Sequence, residues 1–379
     1  MLKMILCQGY QKIHFIGIGG IGTSALVKYF LAKRFLVSGS DLAESEITRS
    51  LGKQGAKIII GSHKQINIPP DTDLVIYSAA VENKNPELKE AKRRKIKCQT
   101  YAQALGDLTK KYFTIAVSGT HGKSTTTAMT ALILVKAGFD PTVIVGTKLR
   151  EFGNSNFRLG KSKYLIIEAD EYSASFLNYW PKIIVLTNIE EDHLDYYRDI
   201  GHILMTFKKY VGHLDKKGIL VTNTNDENIR KIIQNAKIKI QNYNSKYKIN
   251  GLNLKIPGIH NLMNAHAAIT VARALRIPER VSLKTLNNFS GTWRRFEYMG
   301  MVRGAKIFDD YGHHPTEIRA TLKGAREILT IRQKPYAISR LWCVFQPHQY
   351  QRTWKLFEQF TGAFDEADKT ILLPIYSVA

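Results

Sequence analysis

Two glycine-rich turns constrain this chain more than any other feature, because each stands between an apolar β-rich run and a helical stretch. The first, Gly17-Ile18-Gly19-Gly20-Ile21-Gly22, follows Lys12–Ile16 and precedes SALVKYFLAK. The second, Gly119-Thr120-His121-Gly122-Lys123-Ser124-Thr125-Thr126-Thr127, follows Phe113–Val117 and opens a long helix to Ala137, which Gly138 and Pro141 stop. Further apolar runs alternate with helical stretches: Phe35–Ser38, ending at Gly39-Ser40-Asp41, then Asp73–Ser78, Tyr164–Ile167 and Ile183–Leu186. A period near 3.6 over Asn261–Leu275 puts Leu262, Ala265, Ile269 and Ala272 on one helix face. A third group begins near Trp293-Arg294-Arg295-Phe296, with strands expected at Lys306–Phe308, Trp342–Phe345 and Thr370–Leu373. This alternation predicts an α/β fold with parallel sheets, and 379 residues suit two or three domains.

Composition narrows the class. Hydrophobic residues make up 44% of the chain, too many for a mainly disordered protein. No apolar run approaches the ~18–20 residues of a membrane span, and MLKMILCQGYQKIHFIGIGG lacks a signal-peptide pattern. Cys7, Cys98 and Cys343 are widely spaced and outside any C-x-x-C, so neither a disulfide frame nor a zinc site is expected. A reduced, cytoplasmic protein without a membrane partner is the expectation. The 55 Lys and Arg against 32 Asp and Glu give a net charge of +23, which steers anions. The lysines are scattered, as in KEAKRRKIK, and no base-reading helix, zinc finger or RNP aromatic pair is present. A solvated basic surface is expected, without a nucleic-acid partner.

The chemistry of the turns follows from their backbones. In the first, Gly17, Gly19, Gly20 and Gly22 let the chain turn tightly and bring a diphosphate to the amides of a helix N-terminus. Ser40 and Asp41 end the next strand, where an acidic residue meets a ribose hydroxyl. The pattern supports a nucleotide diphosphate and does not select NAD over a UDP-sugar. The second turn has phosphate-loop physics: successive N–H groups cradle phosphates, Lys123 reaches the β and γ oxygens, and the Ser124 hydroxyl ligates Mg²⁺. The strict G-x-x-x-x-G-K-[ST] form fails, because Val117 stands five residues before Gly122. Carboxylates able to hold the metal follow two strands, in Glu168-Ala169-Asp170-Glu171 and in Thr187-Asn188-Ile189-Glu190-Glu191-Asp192-His193-Leu194-Asp195.

The GTHGKSTTT form is similar to the phosphate loop shared by Mur ligases and folylpolyglutamate synthases. GIGGIG (17–22), GSDLAES (39–45), EADEYSASFL (168–177), TNIEEDHLDYY (187–197), PGIHNLMNAHAA (257–268), WRRFE (293–297), DDYGHHPTEIRATL (309–322) and FQPHQYQRT (345–353) join it in order. Over essentially its whole length the chain resembles the bacterial Mur ligases, and within them the alanine-adding branch. The resemblance implies three α/β domains: a Rossmann-like UDP-sugar domain (1–107), a central ATPase domain (108–294) and an incomplete Rossmann-like amino-acid domain (295–379). It implies ATP-dependent joining of L-alanine to the lactyl carboxylate of UDP-N-acetylmuramate through an acyl phosphate, by a monomer or homodimer. By the same resemblance Gly17, Gly19, Gly20, Gly22, Ser40 and Asp41 serve the UDP-sugar. Gly119, Thr120, His121, Gly122, Lys123, Ser124, Thr125, His260, Asn264 and Asp310 serve ATP. Ser124, Glu168 and His193 hold metal, Arg295 reaches phosphate, and Tyr311, His313 and Arg352 surround the amino acid. A carboxylate attacking a phosphate sets anion on anion, which is why Lys123 and Mg²⁺ are needed.

Two departures qualify the resemblance. Gln349 stands where the family has an arginine, so a guanidinium for bidentate capture of the α-carboxylate is missing and weaker alanine binding is expected. The stretch from Arg295 to Ala379 falls short of the ~100–150 residues of a typical domain. A truncated last domain, an exposed sheet edge and weak or absent turnover are therefore expected. Alternatives are the tripeptide-recycling Mur ligase, a folylpolyglutamate synthase, and an NAD-dependent oxidoreductase built on Gly17–Gly22.

Overall fold

The computed structural model describes residues 11–243, 249–331 and 340–376. They form two compact units. The first comprises residues up to 116 with 139–169 and 175–182; the second comprises 117–138, 170–174 and the chain from 183 onward.

In the first unit β1 (Lys12–Ile16), β2 (Leu36–Asp41), β3 (Lys57–Ile60), β4 (Leu74–Tyr77) and β5 (Lys97–Thr100) form a parallel sheet in the order β3-β2-β1-β4-β5. Helices α1 (Ile21–Ala32), α2 (Glu46–Lys53), α3 (Pro86–Arg93) and α4 (Tyr101–Thr109) connect or follow these strands. Phe15, Ile16, Val75 and Ile76 are fully buried, as strands covered on both faces must be. β2 runs through Gly39 and Ser40 to Asp41, three residues beyond the end expected from the sequence. Position 39 of this strand takes glycine because a side chain there would strike Ile18 and the Phe15 carbonyl. After β6 (Phe113–Ser118), within which the chain passes into the second unit, the first unit regains β7 (Thr142–Leu149), β8 (Ser155–Arg158) and β9 (Tyr164–Glu168). β7 pairs parallel with β9 and antiparallel with β8.

The second unit holds α5 (Lys123–Lys136) and the parallel strands β10 (Ile183–Leu186), β11 (Ile219–Thr222) and β12 (Lys239–Asn242), paired in that order. Also in it are α6 (Ile200–Val211), α7 (Glu227–Ile233), α8 (Ile259–Ala274) and α9 (Glu279–Leu286). α8 begins two residues earlier than its apolar periodicity suggests. It is buried on several sides, with Asn264, Ala265, His266, Ala268, Ile269 and Val271 all inside. Beyond it come the antiparallel pair β13 (Glu297–Val302) and β14 (Ala305–Asp309), then α10 (Pro315–Ile331), β15 (Trp342–Phe345), α11 (Tyr350–Lys355) and β16 (Lys369–Leu372). β15 and β16 pair in parallel, with Trp342, Val344, Ile371 and Leu372 exposed. Ile318, Leu322, Phe345, Leu356, Phe360 and Ala363 form the small core beneath them. No helix among the described residues is long and apolar enough to cross a membrane.

Candidate active site

The phosphate loop is built as its sequence demands. Gly119 and Gly122 take φ of 125° and 81°, the left-handed region in which a side chain is strained. A Cβ at Gly119 would also strike Thr187, and one at Gly122 would strike Asn264. The segment after β10 pins the loop: Asn188 Oδ1 accepts from His121 N–H at 2.9 Å, Thr187 Oγ1 donates to the His121 carbonyl at 2.6 Å, and Glu190 N–H donates to Thr120 Oγ1 at 2.9 Å. Asn264 lies under the loop, its Oδ1 accepting from Thr126 Oγ1 at 3.1 Å. Ser124 and Thr125 are buried in the first turn of α5.

Lys123 folds back onto its own loop. Its Nζ donates to the Gly119 and Thr120 carbonyls at 2.8 and 3.1 Å and to both oxygens of Glu171 at 2.9 and 2.8 Å. Burial pushes the Glu171 carboxyl up, to about 8, against the pull of Lys123. His193 Nε2 stands 3.6 Å from Glu171 Oε1, and the ligand atoms of Asp170, Glu171 and His193 all lie within 4.8 Å of one another. Burial lowers the pKa of His193 despite the nearby aspartates, leaving the imidazole able to bind a cation. Two carboxylates and one imidazole suit a hard divalent ion. His193 also adopts φ of 52°, in the left-handed region. Glu168 belongs to the first unit, where its carboxylate accepts from Gly146 N–H at 2.8 Å.

The C-terminal segment meets the same loops. Arg352, 8% exposed, donates from Nε to Asp192 Oδ1 at 3.1 Å. Asp192, His193, Gln349 and Arg352 line one cleft. Tyr311 and His313 stack edge to face at 5.1 Å, and His313 lies 6.1 Å from His348. The Arg295 guanidinium lies 5.5 Å from the Tyr311 ring. The structure thus gathers Lys123, His193, Arg295, Tyr311, His313 and Arg352 in one unit. Asp310 is engaged locally: burial raises its pKa, and its two oxygens accept from Phe296 and Gly312 N–H at 2.8 and 2.7 Å. His260 differs, because its buried Nδ1 has no hydrogen-bond partner among the described residues. Burial pushes its pKa down to about 4, so a neutral acceptor awaits a donor there.

In the first unit the Ser40 carbonyl accepts from Gly17 and Ile18 N–H at 2.9 and 3.0 Å, and Asp41 accepts from Gly19 N–H at 2.7 Å. The Ser40 hydroxyl donates to the buried Glu87 at 2.8 Å. Both β2 residues hold the glycine turn in shape.

The family models agree with this layout. "Mur ligase family, catalytic domain" matches residues 12–113, "Mur ligase middle domain" 117–250 and "Mur ligase, glutamate ligase domain" 294–376. The UDP-N-acetylmuramate–L-alanine ligase of Clostridium botulinum (strain Langeland) is 43% identical over 393 residues, covering 97% of this chain and 83% of that protein. The chain belongs to the Mur ligase family. The corresponding ligase of Clostridium kluyveri is also 43% identical, over 97% of this chain and 84% of its own. Among solved structures, the UDP-N-acetylmuramate–alanine ligase of Thermotoga maritima superposes with a TM-score of 0.80 at 29% identity, covering 96% of this chain and 85% of that one. A murein peptide ligase from Psychrobacter arcticus shares the fold, with a TM-score of 0.74 at 24% identity over 96% and 91% of the two chains.

As a Mur ligase, this chain also holds carboxylates whose partners its motifs do not reveal. Glu171 closes on Lys123, whereas Glu168, at the end of β9, accepts from Gly146 N–H; spacing alone does not choose between the carboxylates of this acidic run. Glu87 and Glu317 lie in helices α3 and α10 and carry no glycine or strand-end signal.

Proposed function

We propose that this chain joins L-alanine to the lactyl carboxylate of UDP-N-acetylmuramate at the expense of ATP. The carboxylate attacks the γ-phosphorus and ADP leaves; the alanine amine then attacks the acyl phosphate and inorganic phosphate departs. The observation that carries this reading is the 43% identity, across 97% of the chain, to ligases named for that reaction. The cation-rich phosphate loop supports it, with the amides of residues 119–125 and Lys123 receiving the triphosphate and His260 offering its unpartnered nitrogen to adenine. In this reading the domains are 1–107, 108–294 and 295–379, and the first glycine turn takes the UDP diphosphate.

Lys123 exchanges its bond to Glu171 for the phosphates when ATP arrives, and Arg295 faces the transferred phosphoryl group. Tyr311, His313 and Arg352 surround alanine, with Arg352 already oriented by Asp192. Ser124 and Glu168 would serve one Mg²⁺ and His193, with Asp170 and Glu171 beside it, a second divalent ion, supplying charge neutralisation at the phosphates.

Thermal unfolding with UDP-N-acetylmuramate, with NAD(H) and with neither tests the first site. The UDP-sugar is expected to stabilise the chain by ~2.7 kcal/mol at a hundred times its Kd, and NAD(H) not at all. Stabilisation by NAD(H) alone overturns the reading. Gln349 lines the Arg352 cleft. Gln349→Arg is therefore expected to lower the KM for L-alanine roughly tenfold, the scale of one charge-assisted hydrogen bond. An unchanged KM removes Gln349 from amino-acid binding.

A further inference from the structure

Four charged side chains, distant in sequence, form one line in the second unit. Glu190 Oε2 lies 3.6 Å from His121 Nε2, and His121 Nδ1 lies 3.3 Å from Glu317 Oε1. The same Glu317 oxygen is 3.5 Å from Arg295 Nη1. Thr316 Oγ1 donates to Glu190 Oε2 at 2.7 Å, tying the start of α10 to the segment after β10. Burial opposes a charge on His121, yet the nearby carboxylates of Glu190 and Glu317 outweigh it and raise the pKa to about 9. The line therefore holds two carboxylates and two cations.

Glu317 is the third residue of α10 and only 12% exposed. Its Oε2 accepts from His313 and His314 N–H at 3.0 and 3.4 Å, the geometry of a glutamate closing a helix N-terminus. Capping needs only that oxygen. The other, Oε1, is turned toward one cation from the phosphate loop and one from the segment that enters β13.

We propose that Glu317 is a positioning residue for phosphoryl transfer, fixing His121 and Arg295 before the polyphosphate arrives. A carboxylate repels a polyphosphate, so tighter ATP binding is not what it contributes. It contributes orientation, and cations already in place need no reorganisation in the transition state. Loss of the charge at 317 should accordingly reduce turnover without weakening ATP.

Glu317→Gln keeps an oxygen for the helix end and removes the charge. In the full chain its kcat is expected to fall roughly 10- to 100-fold, with the Kd for MgATP unchanged or smaller. Its Tm should move less than the ~2–4 °C that a lost cap costs. Glu317→Asp, which keeps the charge, should recover part of kcat. In an Arg295→Ala background Glu317→Gln should add little, because the group it positions is gone. The turnover measurements rest on the ligation proposed above; a second readout does not. The ³¹P resonance of bound ATP's γ-phosphorus, which senses the neighbouring cations, is expected to shift in Glu317→Gln. A weaker Kd accompanied by a matching loss of Tm, additivity with Arg295→Ala, or an unshifted γ-phosphorus resonance would each overturn the proposal. If the wild-type chain releases no phosphate with UDP-N-acetylmuramate and L-alanine, the ligation reading falls, and the resonance together with the Kd decides the role of Glu317.

Discussion

Lys123→Met is expected to reduce ATP-dependent ligation by roughly 10³-fold or more, the scale on which a cation at a transferring phosphoryl group acts. The resting structure explains why the loss is so large. Lys123 Nζ makes its bonds to two loop carbonyls and to both oxygens of Glu171 while the side chain is only 13% exposed, so one ammonium ties the loop to the buried Glu171 carboxyl group. Methionine keeps the length of the stem and removes the charge. Lys123 is the main pull that opposes burial, so without it the Glu171 carboxyl, already up at about 8, rises further and keeps its proton at neutral pH. The fold is thereby spared an unpaired buried charge, and the effect falls on chemistry and ATP affinity. UDP-sugar binding, assigned to the first unit, should be unaffected. Phosphate release assayed beside UDP-sugar-induced thermal stabilisation separates the two; turnover within tenfold of wild type would exclude Lys123 from the phosphoryl transfer. Lys123→Arg should not rescue, because a planar fork does not replace a point charge among those four oxygens.

The phosphate loop was legible because its glycines, Lys123 and Ser124 are contiguous and lie between a strand and a helix. The alternation of apolar runs likewise located β1, β4, β9, β10 and β15 nearly to the residue. Short, half-exposed strands were not legible. Lys57–Ile60 and Lys97–Thr100 are edge strands of the first sheet and lack a buried run on both faces. Gly39-Ser40-Asp41 was placed at the end of the second strand and proves to lie within it, and the reason for Gly39 is the approach of Ile18. The site divides in the same way. His193 and Arg352 stood in recognisable segments, but the meeting of Arg352 with Asp192 across 160 positions follows only from the fold. Asp310, expected to serve ATP, accepts from Phe296 and Gly312 N–H, two bonds that no motif announces. Side chains that organise other side chains carry no motif, since what selects them is a partner far along the chain.

Glu87 is the strongest example, and its removal should be the most destabilising single change in the first unit. Its carboxylate is fully buried. Oε2 meets His14 Nε2 at 3.0 Å and Ser40 Oγ at 2.8 Å, while Oε1 meets His63 Nδ1 at 2.9 Å and Asn67 Nδ2 at 2.7 Å. Glu87→Ala leaves four polar groups without that partner and is expected to cost roughly 3–5 kcal/mol. Burial opposes the charge, yet the bonds from His14, Asn67, His63 and Ser40 outweigh it and lower the pKa from 4.5 to about 2. A carboxyl lowered on folding stabilises above its unfolded pKa, so about 3 kcal/mol is present above pH 4.5 and is lost as the pH falls from 4.5 toward 2. Hydrogen exchange of peptides covering β1 and β2 reads this locally, without assuming that two units unfold together. At pH 7, Glu87→Ala should exchange roughly 10²- to 10³-fold faster than wild type or more, and Glu87→Gln should lie between them. The gap between Glu87→Gln and wild type should narrow as the pH drops below 4.5. Exchange within threefold of wild type for Glu87→Ala would show that the network does not hold the sheet. Because Ser40 carries both the hydroxyl that Glu87 binds and the carbonyl that holds Gly17 and Ile18, a loosened β2 loosens the glycine turn with it. UDP-sugar affinity should therefore fall along with the exchange protection, although Glu87 itself sits inside the core beneath that turn.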